Sequence, residues 1–393
     1  MGNMGLELEV DAKMKKVLAR DASTVGSLAA GHFGIMKRGV LGLEAWEALY
    51  LIDMRNAKCT DSTGRAYAFG DLALMHSKGL GLSKYFAYAA WRNRGLIARG
   101  ASEAAGSHSN MPVVKYPSGK FEKFDFGYLG RFFFNDLMCL VEDEFAGRSI
   151  YEKGWFGQFG VYKADKRGGA CKLDAYEALF LQKFGGLEIE NATFAQIRAA
   201  GRKARDDFDK LYFAYEDWRK NGYVLKTGFK FGTHFRIYFP GATPSSGEKW
   251  AHSEHVLHVF ERKREMLISE WARAIRVAHS VRKSFVLAIE GQKKKGGKAG
   301  RKTSLDFLLY HRKGDKIAKP GADEPKYLMM ALYEEERLSG ERLAKGIEEC
   351  KALGLGLILA IVDRETAVTF YEVKRIDIPG SDFEYYELEW VQP

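Results

Sequence analysis

The 393-residue sequence predicts a mixed α/β protein assembled from repeated units. Three observations carry that expectation. Helix-spaced apolar stretches alternate with short aliphatic runs, the pattern of helices laid on strands. AYAAWRNRG at Ala87–Gly95 returns 127 residues later as AYEDWRKNG at Ala214–Gly222, with five of nine positions identical. FVLAI at Phe285–Ile289 returns as LILAI at Leu357–Ile361. The composition, 46% apolar and 13% aromatic, is enough for well-packed cores. The length allows about two to four domains.

Taken in order, Leu43–Met54 and Ser83–Asn93 show helical spacing, and Gly95 can cap the second in a left-handed conformation. EALYL at Glu47–Leu51 reappears as EALFL at Glu177–Leu181, 130 residues on. Residues from about 20 to 145 therefore read as a diverged copy of the region that starts near 147. Asp174–Phe184 and Phe194–Asn221 are expected helices, the latter ending at Gly222. Beyond Gly222 the pattern becomes strand-like, over Tyr223–Lys226, Phe235–Phe239 and Val256–Arg262. Helices Ile268–Val281 and Leu338–Leu353 precede FVLAI and LILAI, and aromatic-rich strands Leu305–His311 and Ala367–Lys374 follow them. The tail from about 325 thus reads as a copy of the end of the middle unit. Pro240–Lys249, Gly291–Lys302 and Gly314–Pro325 are linkers. The expected organisation is a front copy over 1–145, a complete middle unit over 146–320 and a back copy over 321–393. The middle unit divides into subdomains at about 146–222 and 223–320.

Charge narrows the function. Sixty-one Lys and Arg against 51 Asp and Glu give +10, which points to a polyanionic partner, nucleic acid or a membrane surface. The first twenty residues carry Glu7, Glu9, Asp11, Lys13, Lys15, Lys16 and Arg20, so no signal-peptide core is expected there. The longest clean apolar run, Ala352–Val362, is short of the roughly 20 residues that cross a bilayer. Cys59, Cys139, Cys171 and Cys350 are scattered with no C-x-x-C, as expected of reduced thiols in a cytoplasmic protein.

Five of the nine histidines lie within 234–279. One reading is a metal site, since His252, His255 and His258 form H-x-x-H-x-x-H and would share a face on a helix. The surrounding Val256, Leu257, Val259 and Phe260 favour a strand, which turns His255 to the opposite face. The other reading is metal-free RNA cleavage, in which a 2′-hydroxyl attacks its own 3′-phosphate. That reaction needs a base, an acid for the leaving 5′-oxygen and a cation for the transition state. Tyr238, His252 and Lys283 can supply the set, although spacing alone does not select them. Gln292–Lys302, QKKKGGKAGRK, holds six cations and no acid. It does not satisfy G-x-x-x-x-G-K-[ST], so no nucleotide cofactor is expected. It reads as a solvated loop or as an arm that touches phosphates through Lys293, Lys294, Lys295, Lys298 and Arg301.

Gly222–Tyr238 reads GYVLKTGFKFGTHFRIY, His252–Ser253 follows a loop, and Arg276–Lys283 reads RVAHSVRK before FVLAI. These three ordered motifs resemble the catalytic unit of archaeal tRNA-splicing endonucleases. The resemblance implies units that each pair a small α/β N-terminal domain with a restriction-endonuclease-like α/β C-terminal domain. It implies Tyr238 as general base or hydroxyl-positioning group, His252 as general acid and Lys283 as the stabilising cation, with neither metal nor cofactor. The products would be a 2′,3′-cyclic phosphate and a 5′-hydroxyl. The Phe239–Ala251 loop is a few residues longer than the family pattern, which keeps His255 as an alternative to His252. The implied substrate is precursor tRNA with a bulge–helix–bulge junction. Arg276 takes the place of an arginine that stacks on a bulge base, and Arg282 is the other basic candidate there.

Neither flanking copy keeps the triad; aligning FVLAI with LILAI sets Leu355 opposite Lys283. Front and back together are expected to form one structural unit split around the catalytic middle. This resembles the three-unit class of the family, whose members are homodimers. In the family an acidic loop of the structural unit enters a basic pocket across an interface, and the matching turn, Val362–Thr366, holds Asp363 and Glu365.

Overall fold

The computed structural model describes residues 5–11, 13–77, 81–117, 119–123, 127–161, 167–246, 249–250, 252–290 and 303–393. Lys293, Lys294, Lys295, Lys298 and Arg301 of the expected phosphate arm lie outside the described residues. The described chain is a mixed α/β structure with two small five-stranded sheets, one large central sheet and three two-stranded pairings.

The small sheets share a plan. The first contains, in chain order, Glu7–Asp11, Lys16–Ala19, Ile35–Lys37, Val40–Leu43 and Lys58–Asp61. The second contains Tyr128–Phe133, Met138–Val141, Gln158–Phe159, Cys171–Asp174 and Leu187–Ile189. In each, the spatial order is third, fourth, second, first, fifth, and only the first and fifth strands pair in parallel. Alternation drives the strands: Leu8 and Val10 point inward, as do Tyr128, Gly130 and Phe132. The second sheet spans the boundary expected at 145–146, so that position is no break. The repeat is legible only where the matching helices begin, downstream of the first two strands of each sheet.

Equivalent buried contacts tie each small sheet to the central one. Glu47 pairs with Arg99 at 3.4 Å, and Glu177 with Lys226 at 2.7 Å. Each carboxylate also accepts a glycine amide, from Gly34 at 3.0 Å and from Gly157 at 2.8 Å. Arg92 lies over the Phe33 ring at 4.0 Å, and Arg219 over Phe156 at 3.5 Å. Removing one partner of a buried pair leaves a desolvated charge, a loss of about 3–5 kcal/mol.

The expected helix Phe194–Asn221 is two helices, Phe194–Ala204 and Phe208–Lys220. Arg205 is extended, at φ −157°, and a Cβ at Gly201 would sit 2.5 Å from the Phe208 ring. The helices cross through that glycine, a packing requirement invisible to apolar spacing.

The central sheet runs Val224–Thr227, Phe235–Tyr238, His255–Phe260, Ser284–Glu290, Phe383–Val391, Val368–Ile376, Gly356–Val362, Tyr327–Tyr333, Phe307–Tyr310, Ile97–Gly100. Val113–Val114 adds a short parallel pairing on Val368–Ile376. One face carries helices Ile268–Ser280 and Gly340–Leu353 over Phe285, Leu287, Leu357 and Leu359. The other face meets Trp218 and Tyr215 in one half, Trp91 and Tyr88 in the other. Burial on both sides explains why FVLAI and LILAI are continuous apolar runs.

The strand that follows FVLAI in the chain is not its neighbour in the sheet. Phe307–Tyr310 pairs with Tyr327–Tyr333 and with Ile97–Gly100. The strand beside Ser284–Glu290 is Phe383–Val391, with Phe285 opposite Leu388. Both halves offer similar aliphatic strands, so hydrophobic pattern is satisfied by either partner and cannot choose. The same pairing carries the chain across the expected boundary at 320–321.

Ending the chain after Ser381 removes a strand that is central in the sheet and exposes the Ser284–Glu290 edge. The shortened protein is expected to lose its cooperative thermal transition in circular dichroism; a soluble product with the full-length transition refutes the pairing.

Candidate active site

Three segments meet at one end of the half-sheet built on Val224–Thr227 through Ser284–Glu290. Ile237 stands opposite His255, and His255 opposite Ser284. This register brings Tyr238, the His252–Ser253 approach and Lys283 to the same end.

Lys283 is placed by the end of helix Ile268–Ser280. Its amide bonds to Ala278 O at 2.9 Å, after Arg282 turns the chain at φ 56°. Its Nζ donates to the carbonyl of Ser253, the residue after His252. Burial and the nearby Arg236 hold the ammonium below its ordinary pKa, opposed in part by Glu254. Tyr238 is buried, with its ring 4.5 Å from Trp155 and under Arg236 at 5.8 Å. His252 is exposed, just ahead of the His255–Phe260 strand.

The other imidazoles have different surroundings. His255 is buried between Tyr116, 4.8 Å away and stacked, and Phe239, 5.1 Å away and edge-on. Neither ring nitrogen finds a hydrogen-bond partner among the described residues, and burial pushes its pKa down to about 4. His255 is a neutral packing ring, ill-suited to donate a proton at neutral pH. His258 stacks on His234 at 4.4 Å, and burial holds it well below its ordinary value. His234 accepts from the Val259 amide at 2.9 Å. Among the described residues, no three His, Cys, Asp or Glu side chains gather as a metal site would require, so His252, His255 and His258 do not converge.

Arg276 is exposed on its helix and Arg282 is exposed in the turn before Lys283. The Asp363 and Glu365 turn lies in the other half, between Gly356–Val362 and Val368–Ile376. Asp363 accepts the amides of Glu365 and Ala367 at 2.9 Å each, while Glu365 is exposed. Asp363 therefore shapes the turn, and Glu365 is the more exposed carboxylate on it.

Sequence reading missed Trp155 and Arg236. Arg236 was accessible, since it is two residues from Tyr238 and shares its face. Trp155 was not, because it arrives from the small domain as the left-handed cap of helix Glu144–Gly154, at φ 45°.

The other half has lost this arrangement. At the 72-residue spacing that relates its strands to those of the first half, Tyr310 stands for Tyr238, Glu324 for His252 and Leu355 for Lys283. The connection after Ile97–Gly100 crosses that end. His108 N bonds Leu353 O at 2.8 Å, and Asn110 N bonds Gly354 O at 2.7 Å.

Residues 208–299 match the family described as tRNA intron endonuclease, catalytic C-terminal domain, a span that includes Tyr238, His252 and Lys283. The tRNA-splicing endonuclease of Pyrobaculum arsenaticum is 33% identical over 163 residues, which are 39% of this chain and 86% of that protein. The chain belongs to the tRNA-splicing endonuclease family. The tRNA-splicing endonuclease of Hyperthermus butylicus is 30% identical over 181 residues, 44% of this chain and 92% of the relative. That of Pyrococcus abyssi is 32% identical over 127 residues, 31% of this chain and 70% of the relative. In this tRNA-splicing endonuclease family member, less than half of the chain aligns with each of these relatives. No helix among the described residues is long and apolar enough to cross a membrane.

His255 yields a pH prediction. Its folded pKa lies near 4 against an ordinary 6.5, so the unfolded chain takes up the proton first as pH falls. Its stability contribution is complete above about pH 6.5 and fades towards pH 4, a loss of about 2 kcal/mol by pH 5. Urea unfolding at pH 7, 6 and 5 is expected to show a smaller acid loss in His255→Phe than in the parent protein; parallel losses refute the assignment.

Proposed function

We propose that the chain is an endoribonuclease that excises introns from precursor tRNA at bulge–helix–bulge junctions by metal-independent 2′-hydroxyl attack. The observation that carries this reading is the bond from Lys283 Nζ to the Ser253 carbonyl, which ties the cation to the His252 backbone at the end where Tyr238 stands. The 2′-oxygen bonds to the adjacent phosphorus as the bond to the 5′-oxygen breaks. Tyr238 attends the 2′-hydroxyl, either taking its proton as a phenolate or orienting it by a hydrogen bond while the proton passes to water. Exposed His252, as imidazolium, gives its proton to the leaving 5′-oxygen. Lys283 stabilises the charge on the phosphorane-like transition state, with Arg236 close by. The products are a 2′,3′-cyclic phosphate and a 5′-hydroxyl. Arg276 and Arg282 flank Lys283 as RNA contacts, Arg276 on an unpaired base and Arg282 on phosphate, joined by the cations of 291–302.

The structural reading behind this is two units in one chain. The catalytic unit is formed by residues 128–290 with 383–391, and the degenerate unit by 7–100 with 303–376. The shared order of the small sheets, the paired Glu–cation contacts and the recurring 72-residue spacing support it. Front and back thus complete one structural unit, with boundaries moved from 145 and 320. Two chains would supply four units as a homodimer, with the Asp363–Glu365 turn entering the partner.

Purified protein with a bulge–helix–bulge RNA in excess chelator is expected to release cyclic-phosphate and 5′-hydroxyl ends. Alanine at Tyr238, His252 or Lys283 is expected to lower the cleavage rate by about a hundredfold or more. Chelator-sensitive cleavage would favour a metal-dependent nuclease, and RNA binding without cleavage a structural subunit. The same assay across salt concentrations is expected to show a shallower slope once 291–302 is shortened.

Charge reversal, Asp363→Lys with Glu365→Lys, is expected to shift sedimentation from dimer towards monomer and to reduce cleavage. Unchanged sedimentation and cleavage count against the turn as an interface.

A further inference from the structure

The turn that joins Val224–Thr227 to Phe235–Tyr238 holds Phe229, 86% exposed, and no large apolar side chain among the described residues is more exposed. It is no loose tip. Residues Phe229–Phe231 form one 3-10 turn, with Phe231 N bonded to Gly228 O at 2.8 Å. Gly232 closes it at φ 65°, and buried Thr233 Oγ1 lies 3.4 Å from both Gly228 O and Phe235 O. A Cβ on Gly228 would sit 2.4 Å from that hydroxyl, so the glycine lets the turn fold this tightly. Phe229 N is further held by Thr227 Oγ1 at 3.3 Å.

The inner side of the turn reaches the site. Phe231 packs partly buried against the core beneath helix Ile268–Ser280, with its ring 5.6 Å from Lys283 Nζ. Phe229 therefore projects into solvent from a rigid support whose other aromatic ring touches the cation assigned to the scissile phosphate. Arg276 and Arg282 are exposed on and just after the same helix, so the surroundings attract a polyanion. A rigid aromatic ring within a cationic rim is the arrangement that stacks unpaired bases and tracks a backbone.

We propose that Phe229 stacks on an unpaired RNA base next to the cleaved phosphate and so holds the strand in register for attack. The inference rests on the endonuclease reading above. Stacking of this kind tolerates any base, because every base has a π-face, so Phe229 would fix position and not sequence.

The test uses the full chain and bulge–helix–bulge RNAs with 2-aminopurine at bulge positions on either side of the cut. The parent protein is expected to quench the fluorophore at one position. Phe229→Ala is expected to lose that quenching and to lower kcat/KM about tenfold to a hundredfold, while Phe229→Trp keeps both. An abasic nucleotide at the quenched position is expected to slow the parent protein but to leave Phe229→Ala no slower. Fluorescence and kcat/KM unchanged in Phe229→Ala overturn the proposal. So does a shift to monomer in sedimentation with quenching intact, which assigns the ring to a contact between chains. Absence of cleavage by the parent protein defeats the endonuclease reading, and the quenching comparison still decides the stacking.

Discussion

The antiparallel pairing of Val368–Ile376 with Phe383–Val391 is the contact on which the rest of the molecule depends. It runs from Phe370 opposite Val391 to Ile376 opposite Tyr385 and fuses two half-sheets into one. Without it each half would present a long edge of unpaired amides and carbonyls. With it, Ser284–Glu290 and Gly356–Val362 are both flanked, and two helices can cover a continuous apolar face. The two strands of this hairpin belong to different halves, so neither half completes its sheet without a segment from the chain's C-terminal end.

The small domains depend on a second constraint, a buried carboxylate at the start of a helix. Glu47 and Glu177 each bond a glycine amide and a cation on the first strand of a half-sheet. Neither carboxylate can remain desolvated alone, so each fixes how its small domain sits on the central sheet. Trp155 reaches Tyr238 through the second of these junctions. The tyrosine is thus held from the small domain while Lys283 and His252 are held from the central sheet.

The candidates Tyr238, His252 and Lys283 could be named from the sequence because their motifs have fixed order around strong turn signals, such as Gly222 and Gly228. The strands Val224–Thr227, Phe235–Tyr238, His255–Phe260 and Ser284–Glu290 and helix Ile268–Ser280 were legible from period, while helix Glu144–Gly154 and the strands of the small sheet were not. The neighbours were not. Leu305–His311 has the right composition for a strand beside FVLAI, yet it lies in the other half. His255 has the same local spacing as a catalytic candidate, and only its place between Tyr116 and Phe239 shows it to be a packing ring. Tyr116 comes from a connection 139 residues upstream of His255, beyond the reach of any local pattern.

The sequence by itself determined the fold class and the family resemblance, and it named Tyr238, His252 and Lys283 as candidates, because periodicity, turn chemistry and ordered motifs are local properties of the chain. The tertiary structure alone decided which strands pair, and that His252 is exposed while His255 is buried. The reason is physical: an apolar strand accepts any apolar neighbour of suitable register, and a side chain's exposure depends on segments far away in the chain. Pairing and burial are settled only when the two halves close on one shared hairpin.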